Sequence, residues 1–173
     1  MNKTFEDLKN RRSIRRYKPD PVAKEALDAV LEIGTYAPTA TGAQRVCIVA
    51  VTDKAMRDRL SKMNAAVMGS DSDPFYGAPA VCIVFGDGSW PHGQRDGSAV
   101  LTNMLNAAFS VGLGSCWINR AQEMFQTDEG KALKAEWGVP AEYEGVGCCI
   151  LGYPEGEHPI PKARKEDYII RIE

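Results

Sequence analysis

Apolar positions along this chain recur at two spacings, one helical and one continuous over strand length, and the changes between them mark out the elements. Thr4, with an acidic residue three positions on at Asp7, opens a short helix running toward Arg11. Asp20-Pro21 gives a second start signal, and Val22, Ala26, Leu27, Val30, Leu31 and Gly34 then recur at helical spacing. A small, polar loop, Ala37–Gln44, leads into Val46–Val51, an unbroken apolar run that predicts a strand covered on both faces. Asp53 caps a helix carrying Met56, Leu60 and Met63 on one side. After a Gly/Ser/Asp-rich stretch, Gly69–Asp73, Ala80–Phe85 repeats the buried-strand pattern. A long helix follows from about Gly97 to Gly112, then a short strand, Cys116-Trp117-Ile118. Thr127 starts a helix that runs through Leu133 to Trp137, and Gly145–Leu151 reads as a fourth strand.

Helices alternating with buried strands predict an α/β or α+β sheet covered by helices, and no repeat or linker divides the chain. At 173 residues it fits one domain, large enough to bury roughly two-thirds of its unfolded surface. The tail from Tyr153 holds Pro154, Pro159 and Pro161 yet ends in the strand-like Tyr168-Ile169-Ile170. Apolar residues at the end of a proline-rich tail predict packing on another surface, a second subunit being the natural one.

A formal charge of -2 gives no general attraction to nucleic acid or to an anionic membrane, so any bound anion must be held locally. No apolar stretch approaches the length of about 20 residues that crosses a bilayer, and the N-terminus lacks the basic-then-apolar pattern of a secretory leader. Five cysteines, without a C-x-x-C pair and four of them in apolar runs, are expected to be reduced, buried thiols of a cytoplasmic protein. Adjacent Cys148 and Cys149 should point to opposite faces of their strand, which argues against a redox pair.

The sharpest local feature is Arg11-Arg12-Ser13-Ile14-Arg15-Arg16-Tyr17. Arginine forks beside a serine hydroxyl and backbone N–H groups suit a phosphate, while the same residues also read as a solvated basic patch. Lys162-Ala163-Arg164-Lys165 forms a second cluster that reads either as an exposed charged tail or as the other half of one phosphate site. Neither His92 nor His158 has a motif partner that would make it a catalytic candidate, and there is no metal-ligand spacing.

The order of these segments carries a resemblance. Arg11 to Tyr17, Ala37 to Gln44, Gly112 to Ile118, Gly152 to Pro154 and Pro161 to Arg164 follow one another as R-R-S-x-R-x-[FY], A-P-[ST]-x-x-x-x-Q, G-L-G-x-x-W-I, G-Y-P and P-K-x-R do in nitroreductases. The chain therefore resembles that family over nearly its whole length. The resemblance implies an α+β fold in three layers, a central, mostly antiparallel sheet flanked by helices, in an interlocked homodimer with two FMN molecules at its interface. It implies that Arg11, Arg12, Ser13 and Arg15, with Lys162 and Arg164, hold the FMN phosphate and ribityl chain. Pro38, Thr39, Ala40, Gly42 and Gln44 would approach the flavin from the partner, and Trp117, Ile118 and Asn119 would lie against its ring, a backbone N–H donating to N5.

Two departures from the usual pattern stand in the loop. Gly42 occupies a position where many relatives carry asparagine, and Arg45-Val46 replaces Pro-Trp. Arg45 is extra, facing solvent or drawing in an acidic substrate or a nucleotide phosphate. The activity implied is reduction of nitroaromatic or quinone-like acceptors by NADH or NADPH, in which flavin N5 carries the chemistry and no side chain acts as acid or base. Alternatives are the same flavin chemistry on an enone, a halogenated phenol or flavin itself, a flavin store, and an RNA-binding arginine patch; against the last stand the net negative charge and the lack of interleaved aromatics.

Overall fold

A computed structural model describes residues 2–173. Its elements are α1 (Lys3–Asn10), α2 (Lys24–Thr35), β1 (Val46–Val51), α3 (Lys54–Met68), β2 (Ala80–Asp87), α4 (Gly93–Ser110), β3 (Gly114–Ile118), α5 (Ala121–Gln126), α6 (Asp128–Glu136) and β4 (Tyr143–Gly152). The strands form one antiparallel sheet in the order β1-β2-β4-β3.

Strand alternation sorts the core into two layers. Val81, Ile83 and Phe85 of β2, with Cys148 and Ile150 of β4, meet α3, α5 and α6 through Leu60, Met63, Met124, Phe125 and Leu133. Ala80, Cys82 and Val84, with Cys149 and Leu151, meet α2 and α4 through Leu27, Val30, Leu101, Met104 and Leu105. Cys148 and Cys149 thus lie on opposite faces, as their adjacency in a strand requires. Between Val84 and Phe85 the register slips past Val146, and Gly145 there comes close to the Ala121 carbonyl, where a Cβ would sit 2.4 Å away.

Several boundaries differ from the sequence expectation. Asn2, not Thr4, caps α1, its side chain accepting from the Thr4 N–H at 2.8 Å. The Asp20-Pro21 signal opens no helix, and α2 begins three residues later behind Ala23. Asp53 and Thr127 do cap α3 and α6. Helix α4 starts four residues before Gly97, and α5, too short to show a period, escaped the pattern. Strand β1 is half-buried, not covered on both faces, and among the described residues it forms an edge of the four-stranded sheet. Residues 168–170 form no strand; a 3-10 turn, Glu166–Tyr168, leads into extended chain that pairs with nothing among the described residues. No helix among the described residues is long and apolar enough to cross a membrane.

Candidate functional site

Two buried side chains fix the N-terminal basic segment. Ile14 and Tyr17, spaced by three, enter the core, and the Tyr17 hydroxyl donates to the Ile14 carbonyl at 2.7 Å. Burial raises the Tyr17 phenol far above its ordinary value, so it stays a neutral anchor. Ser13 bridges to Ser115 of β3, the Ile14 N–H donating to the Ser115 carbonyl at 2.9 Å. Arg11 and Arg15 then stand outside the core, Arg15 lying 5.8 Å from the Tyr76 ring. Arg12 behaves differently: its guanidinium folds back onto the Lys9 and Arg11 carbonyls at the end of α1, with Nε buried and unpartnered.

The Ser115 contact also sets the direction of the sheet edge. Since the Ser115 carbonyl points away from β4, alternation turns the Trp117 N–H the same way, toward the open edge beyond Ile14. Trp117 is half-buried, its indole crossing Gly147, where a Cβ would lie 2.7 Å from Nε1; Ile118 is buried. Asn119 is exposed, but its carbonyl accepts from Asn64 Nδ2 at 2.8 Å. Arg120 follows in the left-handed conformation, φ 76°, its Nε donating to Asn64 Oδ1 at 3.0 Å.

In the loop before β1, Pro38 and Gly42 are exposed, and a 3-10 turn spans Ala40–Gly42. Thr41, Gly42 and Gln44 all adopt positive φ, so backbone conformation favours glycine at 42 without demanding it, and crowding plays no part, since nothing lies within 4 Å of the Cβ it lacks. The Thr39 hydroxyl accepts from the Gln44 N–H at 3.1 Å. Buried Asp96, in the first turn of α4, accepts from the Ala40 N–H at 3.0 Å and keeps Oδ2 without a partner. Thr39 and Gln44 rim a cleft of about 400 Å³ floored by Leu31, Val46, Ile48 and Val100. Arg45 is held in place: it pairs with Asp87 at 3.1 Å and lies 4.8 Å from the Trp90 ring. Hydrogen bonds from Ser89, reinforced by Arg45, keep the Asp87 carboxyl below the usual carboxylate range.

Lys162 and Arg164 are exposed, and Arg164 donates to the Lys162 carbonyl at 2.6 Å. Among the described residues neither shares a hydrogen bond or ion pair with the N-terminal arginines. The tail is tied nearby instead, through the His158 ring to the Asn10 carbonyl at 2.7 Å. The loop meets α4 at Asp96 and the arginine segment meets its far end near Phe109; thirteen residues of helix put about 20 Å between them. One chain therefore does not close the predicted residues into a single site. Cys82, Cys116, Cys148 and Cys149 are buried and Cys47 half-buried, burial pushing the Cys82 and Cys148 thiols up to about 12.

Sequence reasoning missed Asn64, Asp96 and Arg120. The available signal was a polar residue at Asn64 on the apolar face of α3, one turn beyond Leu60.

Comparison with known proteins names the arrangement. The profile of the Nitroreductase family matches residues 8–74. An Archaeoglobus fulgidus protein, by name a candidate NADH dehydrogenase/NAD(P)H nitroreductase, is 30% identical over 171 residues, covering 94% of this chain and 92% of its own. The 5,6-dimethylbenzimidazole synthase of Rhodospirillum rubrum is 25% identical over 90% of this chain and 83% of its own. The crystal structure of an FMN-bound nitroreductase from Bacteroides fragilis superposes with a TM-score of 0.92 at 29% identity, covering all of both chains. With the sheet order, the ordered basic and loop segments and a full-length relative in agreement, the chain belongs to the nitroreductase family.

Proposed function

We propose that the protein is an FMN-dependent NAD(P)H oxidoreductase that reduces nitroaromatic or quinone-like acceptors, working as a homodimer. The observation that carries the reading is the open edge of β3, along which the segment carrying Arg11, Ser13 and Arg15 runs parallel, Ser13 level with Ser115, and from which the Trp117 N–H points outward. These residues fit the cofactor. Arg11 and Arg15 have no ion-pair partner among the described residues, and Ser13 offers a hydroxyl, a donor set suited to a phosphate. The Trp117 N–H suits an acceptor atom at a ring edge.

FMN, held by these residues, would supply hydride-transfer chemistry between NAD(P)H and an acceptor. The protein's part is placement. Arg11, Ser13 and Arg15 would neutralise the phosphate and ribityl end, with Lys162 and Arg164 reaching it from the tail. Half-buried Trp117 would lie against the ring and exclude water, whereas Ile118, turned into the core on the opposite face of β3, cannot cover the same ring face and would support the strand from behind. Cations near the ring favour its reduced, anionic form. Pro38, Thr39, Ala40, Gly42 and Gln44 sit about 20 Å away along α4, so they would complete the site of the other subunit. The exposed Ile160, Tyr168, Ile169, Ile170 and Ile172 supply a surface for that association.

The test is optical. Purified protein should be yellow, bleach with NADH or NADPH, and recover its colour when acceptor is added. A colourless protein that takes up no FMN on reconstitution would refute the reading, and a yellow protein that neither nucleotide bleaches would make it a flavin store. A second reading, the same fold acting on another substrate, is favoured by the likeness to 5,6-dimethylbenzimidazole synthase, whose name gives a synthesis and not a reduction. Turnover with nitro compounds and quinones as acceptors separates the two.

A further inference from the structure

The turn that leaves β3 carries an unusual backbone. Arg120 has φ 76°, in the left-handed region that a residue with a Cβ enters only at an energetic cost, and such strain persists where the surroundings impose it and function uses it. Here two restraints act: Arg120 is the N-cap of α5, its carbonyl accepting from the Met124 N–H at 3.0 Å, and Asn64 holds the turn from the side. Asn64 is fully buried in α3, and its amide takes both ends of the turn, Nδ2 donating to the Asn119 carbonyl and Oδ1 accepting from Arg120 Nε. The same Nδ2 lies 3.1 Å from Met124 Sδ, so the amide cannot rotate without giving up a contact.

This tether uses one of the five N–H donors of the guanidinium. Among the described residues Nη1 and Nη2 have no hydrogen bond and no carboxylate within ion-pair distance, and neither belongs to the buried, unpartnered atoms, so both meet solvent. A guanidinium fixed at Nε and open at both Nη atoms is a pre-oriented fork for an oxyanion. It stands two residues beyond Ile118, next to the edge whose Trp117 N–H faces outward.

We propose that Arg120, held by Asn64, is a specificity-determining residue that recognises a phosphate or carboxylate on one of the molecules that docks at the β3 edge. The inference rests on the flavoenzyme reading above and names a feature of its substrates. The anion is either the pyrophosphate of the dinucleotide reductant or an acid group on the acceptor.

The test uses FMN-loaded full-length protein and charged and neutral congeners: NADH against uncharged 1-benzyl-1,4-dihydronicotinamide, and 4-nitrobenzoate against 4-nitrobenzamide. Arg120→Gln should raise KM for the anionic member of one pair about tenfold or more, leaving kcat and the neutral member within twofold. A shift confined to NADH assigns the dinucleotide, and one confined to 4-nitrobenzoate assigns the acceptor. Arg120→Gly guards against a folding artefact: glycine adopts the same φ freely, which offsets the lost bond to Asn64, so the variant should still fold, bind FMN and reproduce the KM shift. Dissociation constants of NAD+ and 4-nitrobenzoate, read from the perturbed absorption of the bound flavin, should follow the same pattern without turnover. Equal KM changes for charged and neutral congeners, or none, would overturn the assignment while leaving the flavoenzyme reading intact. Wild-type protein that binds no FMN would sink that reading instead.

Discussion

Cutting the chain after Ile160 removes Tyr168, Ile169, Ile170 and Ile172, which are 71, 71, 81 and 91% exposed. Fully burying one such side chain stabilises by roughly 1.5–3 kcal/mol, so docking four of them on a partner would contribute about 6–12 kcal/mol per tail. Chain ordering and lost freedom oppose this. If they offset half of it, about 3–6 kcal/mol remain, a factor of about 10²–10⁴ in the dimer dissociation constant for each tail. The truncated protein should therefore sediment as a monomer at micromolar concentration and elute without flavin, since Lys162 and Arg164 go with the tail. Sedimentation velocity with detection at 280 and 450 nm reads both outcomes in one run. A truncated chain that remains dimeric and yellow would refute the argument that these isoleucines belong to a partner's surface.

Other substitutions separate roles that the sequence runs together. Arg11→Ala should weaken FMN about 10- to 100-fold by equilibrium dialysis, because a charge-assisted hydrogen bond contributes roughly 1.5–3 kcal/mol, whereas Arg12→Ala should mainly lower the thermal midpoint by freeing the end of α1. Arg45→Leu should lower the thermal midpoint yet leave KM for an acidic acceptor unchanged, since Arg45 already serves Asp87 and Trp90. Burial raises Cys82 and Cys148 from an ordinary 9.0 to about 12, so the unfolded chain loses these protons first; stability should be full below pH 9 and fall as pH rises toward 12, measured by urea titration. Replacing His92, His158, Cys116, Cys148 or Cys149 singly should leave both flavin half-reactions within tenfold in stopped-flow absorbance, and a hundredfold loss in a folded, FMN-bound variant would reveal a proton donor.

The chain's own pattern determined what depends on neighbours in sequence. The unbroken run Ala80–Phe85 reads as a strand buried on both faces by its length, and the apolar spacing around Leu101, Met104 and Leu105 reads as a helix because its period decides which face is buried. The ordered motifs likewise located the family and its candidate residues. Tertiary structure decided what depends on distant segments. Val46–Val51 reads like a central strand, yet becomes an edge because, among the described residues, β2 is its one partner in the sheet. Four arginines within six residues look alike in sequence, and only folding turns Arg12 onto α1 while leaving Arg11 and Arg15 outside the core. The bonds that shape the β3 turn and the loop join residues 55 and 56 positions apart, Asn64 to Asn119 and Ala40 to Asp96. Such pairs leave no periodic trace, because a hydrogen bond is set by where two elements meet in space and local spacing records only which way each element faces.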